Sequence, residues 1–97
     1  MQIDKLRGEQ LDRLFDAILS LETREECYKF FDDLATMNEI SALSQRLQVA
    51  TMLRTGHTYN DIKEKTKAST ATISRVRRCI DYGSGGYEIV LDRLENK

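Results

Sequence analysis

Apolar residues along the chain recur at three- and four-residue steps, and no segment alternates apolar with polar as a half-buried strand would. Leu11, Leu14, Phe15, Ile18 and Leu21 form the first stripe and predict an amphipathic helix over residues 9–22. Thr23-Arg-Glu-Glu26 has capping-box spacing and predicts a second helix with Cys27, Phe30, Phe31 and Leu34 on its inner face. Thr36-Met-Asn-Glu39 repeats that spacing before a longer helix, whose stripe is Ile40, Leu43, Leu47, Ala50 and Leu53. Gly56 can end it in the left-handed region. Thr58 then caps a short helix to about Thr66, and Ser69 caps another to about Tyr82. Gly83-Ser-Gly-Gly86 breaks the chain, and Tyr87, Val90, Leu91 and Leu94 mark a final helix. The absence of proline and the scarcity of β-branched runs agree with an all-α chain of six helices.

The two helices on either side of Lys67-Ala68 have the layout of a helix-turn-helix: a short helix, a tight turn and a second helix with a capping serine. On a helical wheel of residues 69–82, Ile73, Val76 and Ile80 share one side, flanked by Thr72 and Cys79. They would pack on Ile62 and the longer helix before it. Ala71, Ser74, Arg75 and Arg78 point the other way, with Thr70 and Arg77 between the faces. The outward face is thus small where the helix begins and cationic further along. A helix entering a major groove benefits from short leading side chains, because its backbone can then approach base edges. Hydroxyls can donate or accept there, and methyls can meet the thymine methyl. The arginines can reach guanine edges or phosphates, and the helix N-terminus adds its own partial positive charge.

Charge sharpens this picture. The chain carries a net charge of −1, yet residues 54–82 hold seven cations (Arg54, Lys63, Lys65, Lys67, Arg75, Arg77, Arg78) against three anions. Residues 1–53 hold six cations against ten anions. The positive charge is confined to one helical block, suited to a polyanion such as double-stranded DNA. With 97 residues, 40% hydrophobic and 32% charged, the composition is that of one globular domain. No apolar run approaches the length of a membrane span, and no secretory leader is expected, so the expected location is cytoplasmic with no membrane partner. The two cysteines, Cys27 and Cys79, are expected to be small core residues rather than a disulfide.

Enzymatic chemistry finds little support. His57, the single histidine, follows Gly56 and reads as a helix-end residue rather than a general base. One histidine and two distant cysteines do not make a metal site. The GSGG stretch lacks the Gly-Lys-Ser/Thr ending of a phosphate-binding loop. RNA is disfavoured because no aromatic residues interleave with the basic cluster. The serious alternative to DNA binding is a helical protein–protein interaction module. In it, the surplus apolar stripes of the first three helices would bind another protein and the basic helix would only confer solubility.

Three stretches carry a resemblance: Gln45-Arg46-Leu47 in the long helix, Tyr59-Asn-Asp-Ile62 in the first helix of the motif, and Ala71-Thr-Ile-Ser-Arg75 in the second, the most specific of the three. With them the chain resembles the Trp-repressor-like family, in its YerC/YecD branch, over most of its length. The resemblance implies an all-α, six-helix, intertwined homodimer that represses transcription through a palindromic operator. Residues 1–57 would form its dimerisation region, 58–82 its helix-turn-helix and 87–96 its C-terminal helix. Leu11, Leu14, Phe15, Ile18, Phe30, Phe31 and Leu34 would then lie in the dimer interface. It also implies that Thr70, Ala71 and Ser74 read bases and that Asn60 and Lys63 touch the backbone or outer bases. Lys67, Arg75, Arg77 and Arg78 complete the expected DNA-binding set. Arg46 and Arg75 resemble the two arginines that hold a ligand.

Two departures stand out. Lys67 occupies a turn position where the family usually has glycine, so a lysine is expected in the left-handed region at a cost of about 1–2 kcal/mol. Val76 follows Arg75 where the tryptophan-binding protein has glycine, and its side chain would fill the space an indole needs. Tryptophan is therefore not expected as corepressor, and no other cofactor is implied.

Overall fold

The computed structural model describes residues 1–96. Its six α-helices are α1 (Glu9–Leu19), α2 (Arg24–Leu34), α3 (Met37–Arg54), α4 (Tyr59–Thr66), α5 (Thr70–Tyr82) and α6 (Gly86–Glu95), preceded by a short 3-10 helix, Gln2–Leu6, that the apolar pattern does not announce. There are no strands among the described residues. The capping residues sit where the spacing predicts. Thr23 Oγ1 accepts from the Glu26 N–H at 3.1 Å, Thr58 Oγ1 from the Asp61 N–H at 3.2 Å and Ser69 Oγ from the Thr72 N–H at 3.1 Å. At α2 the returning bond of the capping box reaches one residue further back, from the Glu22 N–H to Glu26 Oε1 at 2.8 Å. α1 ends two residues before the apolar stripe does, because the Ser20 hydroxyl donates to the Ala17 carbonyl at 2.6 Å and closes the last turn. Gly56, at φ +85°, follows α3 in the left-handed region.

The chain divides into two compact units. The first, Met1–Met37, holds the 3-10 helix, α1 and α2; the second begins at Asn38. No residue of the first unit is buried. Leu11, Leu14, Ile18, Phe30 and Phe31 are half-buried, with the two phenylalanine rings meeting edge to face at a centroid distance of 5.7 Å. Phe15 and Leu34 are exposed. Near the C-terminal end of α1, Leu19 is 81% exposed, far more than any core side chain tolerates.

The second unit contains the core. Val49, Ala50 and Leu53 of α3, Ile62 of α4, Ala68 of the following turn, Ile73 and Val76 of α5 and Leu91 of α6 form one buried cluster, with Met52, Ile80 and Tyr87 packed against it. The prediction for α3 needs correcting. Ala50 and Leu53 face the core, but Leu43 and Leu47 are exposed, and the side chain buried beside Ala50 is Val49. α3 is therefore apolar on two sides, only one of which is covered. The cysteines also differ from expectation: Cys27 and Cys79 are both free and exposed. Cys27 belongs to a unit without a core, and Cys79 lies on the flank of α5 rather than on its Ile73–Val76–Ile80 side.

Candidate nucleic-acid interface

The turn joining α4 to α5 is built on a small polar network. Thr66 ends α4 as the one buried polar residue among those described. Its hydroxyl donates to the Ile62 carbonyl at 2.7 Å and accepts from the Ala68 N–H at 3.1 Å. Its carbonyl, left without an intrahelical donor by the helix end, accepts from the Gln45 side-chain amide of α3 at 3.1 Å. Lys67 lies between, at φ 64° and ψ 12°, the left-handed conformation expected for it, with its N–H donating to the Lys63 carbonyl at 2.9 Å. It is the single non-glycine residue at positive φ among those described. Ala68 is buried, and the Ser69 hydroxyl, besides capping the helix, donates to Thr72 Oγ1 at 3.1 Å. The angle and rotation of α5 relative to α4 are therefore set by backbone contacts under side-chain control.

Upon this frame the inner side of α5 is seated by Ile73, fully buried, and Val76, 1% exposed. Val76 thus packs as part of the core, as the departure at this position predicts. Thr70 and Ala71 are exposed on the first turn of α5, and Asn60 and Lys63 are exposed on α4. Ser74 is half-buried, less open than the wheel places it. Arg75, Arg77 and Arg78 are exposed along the outer side. Arg77 pairs with Asp81 one turn on, Nε to Oδ2 at 3.2 Å, so part of its charge is already met within the helix. Lys63, Lys67, Arg75 and Arg78 have no carboxylate partner among the described residues.

The basic block is smaller than the sequence suggests. Arg54, counted within it, turns to α6 and pairs with Asp92 and, at 3.3 Å, with Glu95. It serves the packing of α3 and α6. Arg46 of α3 is half-buried and Arg75 exposed, and neither forms an ion pair among the described residues. Both act electrostatically on one phenol, that of Tyr87 in α6. Burial raises its pKa most, the Cys79 thiol raises it further, and the two guanidinium groups pull it down. Gln45 and Thr66 are the structural contributors that residue patterns alone miss. Gln45 stands in one of the stretches that carry the family resemblance, and its role follows from the position of α4. His57 is held at the end of α3 by its own N–H to the Met52 carbonyl at 3.1 Å, the helix-end position expected of it.

A short helix, a turn pinned on three sides and a second helix with a small leading face and free cations behind it make a helix-turn-helix. The sequence model of the Trp repressor protein family matches residues 9–95. The chain belongs to the Trp repressor family. Members of this family are regulators that bind DNA rather than enzymes. A relative from Bacillus subtilis (strain 168), the uncharacterized protein YerC, is 64% identical over 95 residues, covering 98% of this chain and 91% of the relative. A crystal structure of a candidate Trp repressor from Staphylococcus aureus superposes with a TM-score of 0.96 at 61% identity, covering 100% of this chain and 97% of that one. A TrpR-like protein from Eubacterium eligens ATCC 27750 superposes with a TM-score of 0.92 at 55% identity, over 95% of each chain. No helix of the described residues is long and apolar enough to cross a membrane.

Proposed function

We propose that this member of the family is a cytoplasmic, homodimeric repressor of transcription that reads a palindromic operator with paired α5 helices. The reading rests above all on the outer side of α5. There Thr70 and Ala71 stand open at the leading turn, and Arg75 and Arg78 follow without carboxylate partners. Thr70, Ala71 and Ser74 take the base-reading role in this proposal. Asn60, Lys63, Lys67, Arg75, Arg77 and Arg78 hold phosphates or outer base edges. The homodimer is supported by the first unit, whose apolar side chains, Leu11, Leu14, Phe15, Ile18, Phe30, Phe31 and Leu34 among them, include none that is buried. Leu43 and Leu47 of α3 and Ile89, Val90 and Leu94 of α6, all exposed, extend the candidate interface beyond the residues the sequence singles out.

Tryptophan is not the corepressor in this reading, because Val76 occupies the core where an indole would need room. Arg46 and Arg75, lacking carboxylate partners, are the groups that would hold a different, anionic effector. Titration of tryptophan to millimolar concentration in a calorimeter should give no saturable heat; a transition near one ligand per chain would restore the corepressor.

Selection of bound duplexes from a random pool, using the purified full chain, tests the main reading. The expected winner is a palindrome whose affinity falls steeply with salt. Retention of no preferred sequence, with binding to partner proteins alone, would favour the interaction-module reading.

A further inference from the structure

α5 is held at its two ends by different means. Its N-terminal half is fixed by the Ser69 cap, the turn at Thr66–Ala68 and the burial of Ile73 and Val76. Its C-terminal half carries only Ile80 as a half-buried apolar contact; Cys79 and Tyr82 are exposed. The rest of the support there comes from α6. Leu91, 3% exposed, enters the core, and Tyr87 packs against that core one helical turn earlier. α6 is itself anchored to the end of α3 by the Arg54 pairs with Asp92 and Glu95. The short connection from α5 also admits little slack. A Cβ at Gly83 would stand 2.3 Å from the Cys79 carbonyl oxygen, and Gly85 takes φ +82° to launch α6.

We propose that Tyr87 is a positioning residue for DNA reading: its ring, carried on α6 and pinned through Arg54, wedges the C-terminal half of α5 at a fixed angle without any small molecule. This rests on the DNA-reading assignment above. Arg77 and Arg78 follow directly on Val76, the last buried side chain of α5, so the support from Ile80 and α6 decides how these two arginines, assigned above to phosphates or outer base edges, are held. The wedge is built in two parts. The ring body fills space against the core, and an ion-pair strap keeps its helix from swinging away. The packing leaves an open hollow of about 230 Å³ bordered by Arg54, Cys79, Ile80, Tyr87 and Leu91, through which a small solute can reach the ring position.

The test measures affinity of the full chain for the selected duplex and for an unrelated one. Tyr87→Ala should weaken the selected duplex at least tenfold and the unrelated duplex less than twofold, with the helical circular dichroism retained. Added p-cresol, a free copy of the missing side chain, should recover most of the lost preference, and Tyr87→Phe should bind as the unaltered chain does. A merely structural tyrosine would lower both affinities together. Should Tyr87→Ala fail to fold, the double change Asp92→Asn with Glu95→Gln, at surface positions, removes the strap instead and should reduce the preference several-fold. Unchanged preference in the folded variants overturns the wedge and leaves DNA reading intact. An unaltered chain with no preferred duplex removes both.

Discussion

Both units of this chain are built from helices that carry apolar stripes, yet only one of them contains a core. In the second unit, α3, α4, α5 and α6 together with the turn residue Ala68 supply eight buried apolar side chains that meet in a single cluster. In the first, α1 and α2 carry comparable stripes, and the most covered side chains remain half-buried. The amphipathic pattern is the same kind of signal in both. It reports that a side of a helix needs covering; it does not report whether the cover comes from the same chain. For the unit with its own core the burial energy is intrinsic. For the other, the proposed homodimer would supply it through association, and its stability would then be a function of concentration.

Four changes probe that contrast. Ile18→Asp should have the largest effect. A carboxylate in a two-fold apolar contact is introduced twice, and self-association should weaken more than about a thousandfold. Sedimentation of the variant should show the 11.2 kDa chain alone, and that of the unaltered protein the proposed dimer. A variant that stays dimeric would mean that α1 lies outside the interface. Ile62→Ala comes next. It opens a cavity in the core of the second unit and should cost about 2–5 kcal/mol, read as a lowered denaturation midpoint. The loss should be the same at every protein concentration once association is corrected for; a cost that grows on dilution would contradict an intrinsic core.

Lys67→Gly should act in two directions at once. It removes the left-handed strain of a lysine at φ 64° and should stabilise the fold by about 1 kcal/mol. It also removes a free cation beside the leading turn of α5, so the salt dependence of duplex binding should flatten by roughly one unit. A stabilised variant with an unchanged salt slope would take Lys67 out of the phosphate-binding set. The smallest effect belongs to Asp4 in the 3-10 helix. Arg7, then the N-terminal ammonium, hold its carboxyl below the ordinary aspartate range. Its contribution is therefore present above that range and lost as the pH falls through the lowered value. Amide resonances of residues 2–7 should shift on acidification while those of the core stay still.

Local sequence chemistry made much of this fold legible. Thr23, Thr58 and Ser69 announce their helices because a cap acts within three residues, and each does accept the expected N–H. The left-handed Lys67 was legible through the family resemblance, which places a glycine at that turn position. What stayed hidden depends on separations the pattern does not encode. Arg54 reads as part of a basic block until Asp92 and Glu95, about forty positions on, claim it. Gln45 reads as a polar helix residue until α4 brings the Thr66 carbonyl to it. The apolar positions of α3 could not reveal which of its two sides would be covered, since both sides carry them. Cys27 and Cys79 were misjudged because small apolar size permits burial without requiring it. The outer side of α5 was the most readable part of the candidate interface, since small and cationic residues there have no packing role to obscure them.

The hydrogen bonds around Thr66 carry a consequence for how such a protein diversifies. Every bond that sets the turn ends on a backbone atom or on a side chain turned away from the outer side of α5: the Thr66 hydroxyl, the Gln45 amide, the Ser69 cap. Thr70 and Ala71, exposed on that outer side, make none of them. In the proposed reading, the base-contacting side chains are thus separable from the hinge that aims them. A gene duplicate could exchange Thr70 or Ala71 for other small side chains and acquire a new target site while inheriting the same scaffold. Drift at Thr66 or Gln45 would instead erase every specificity at once.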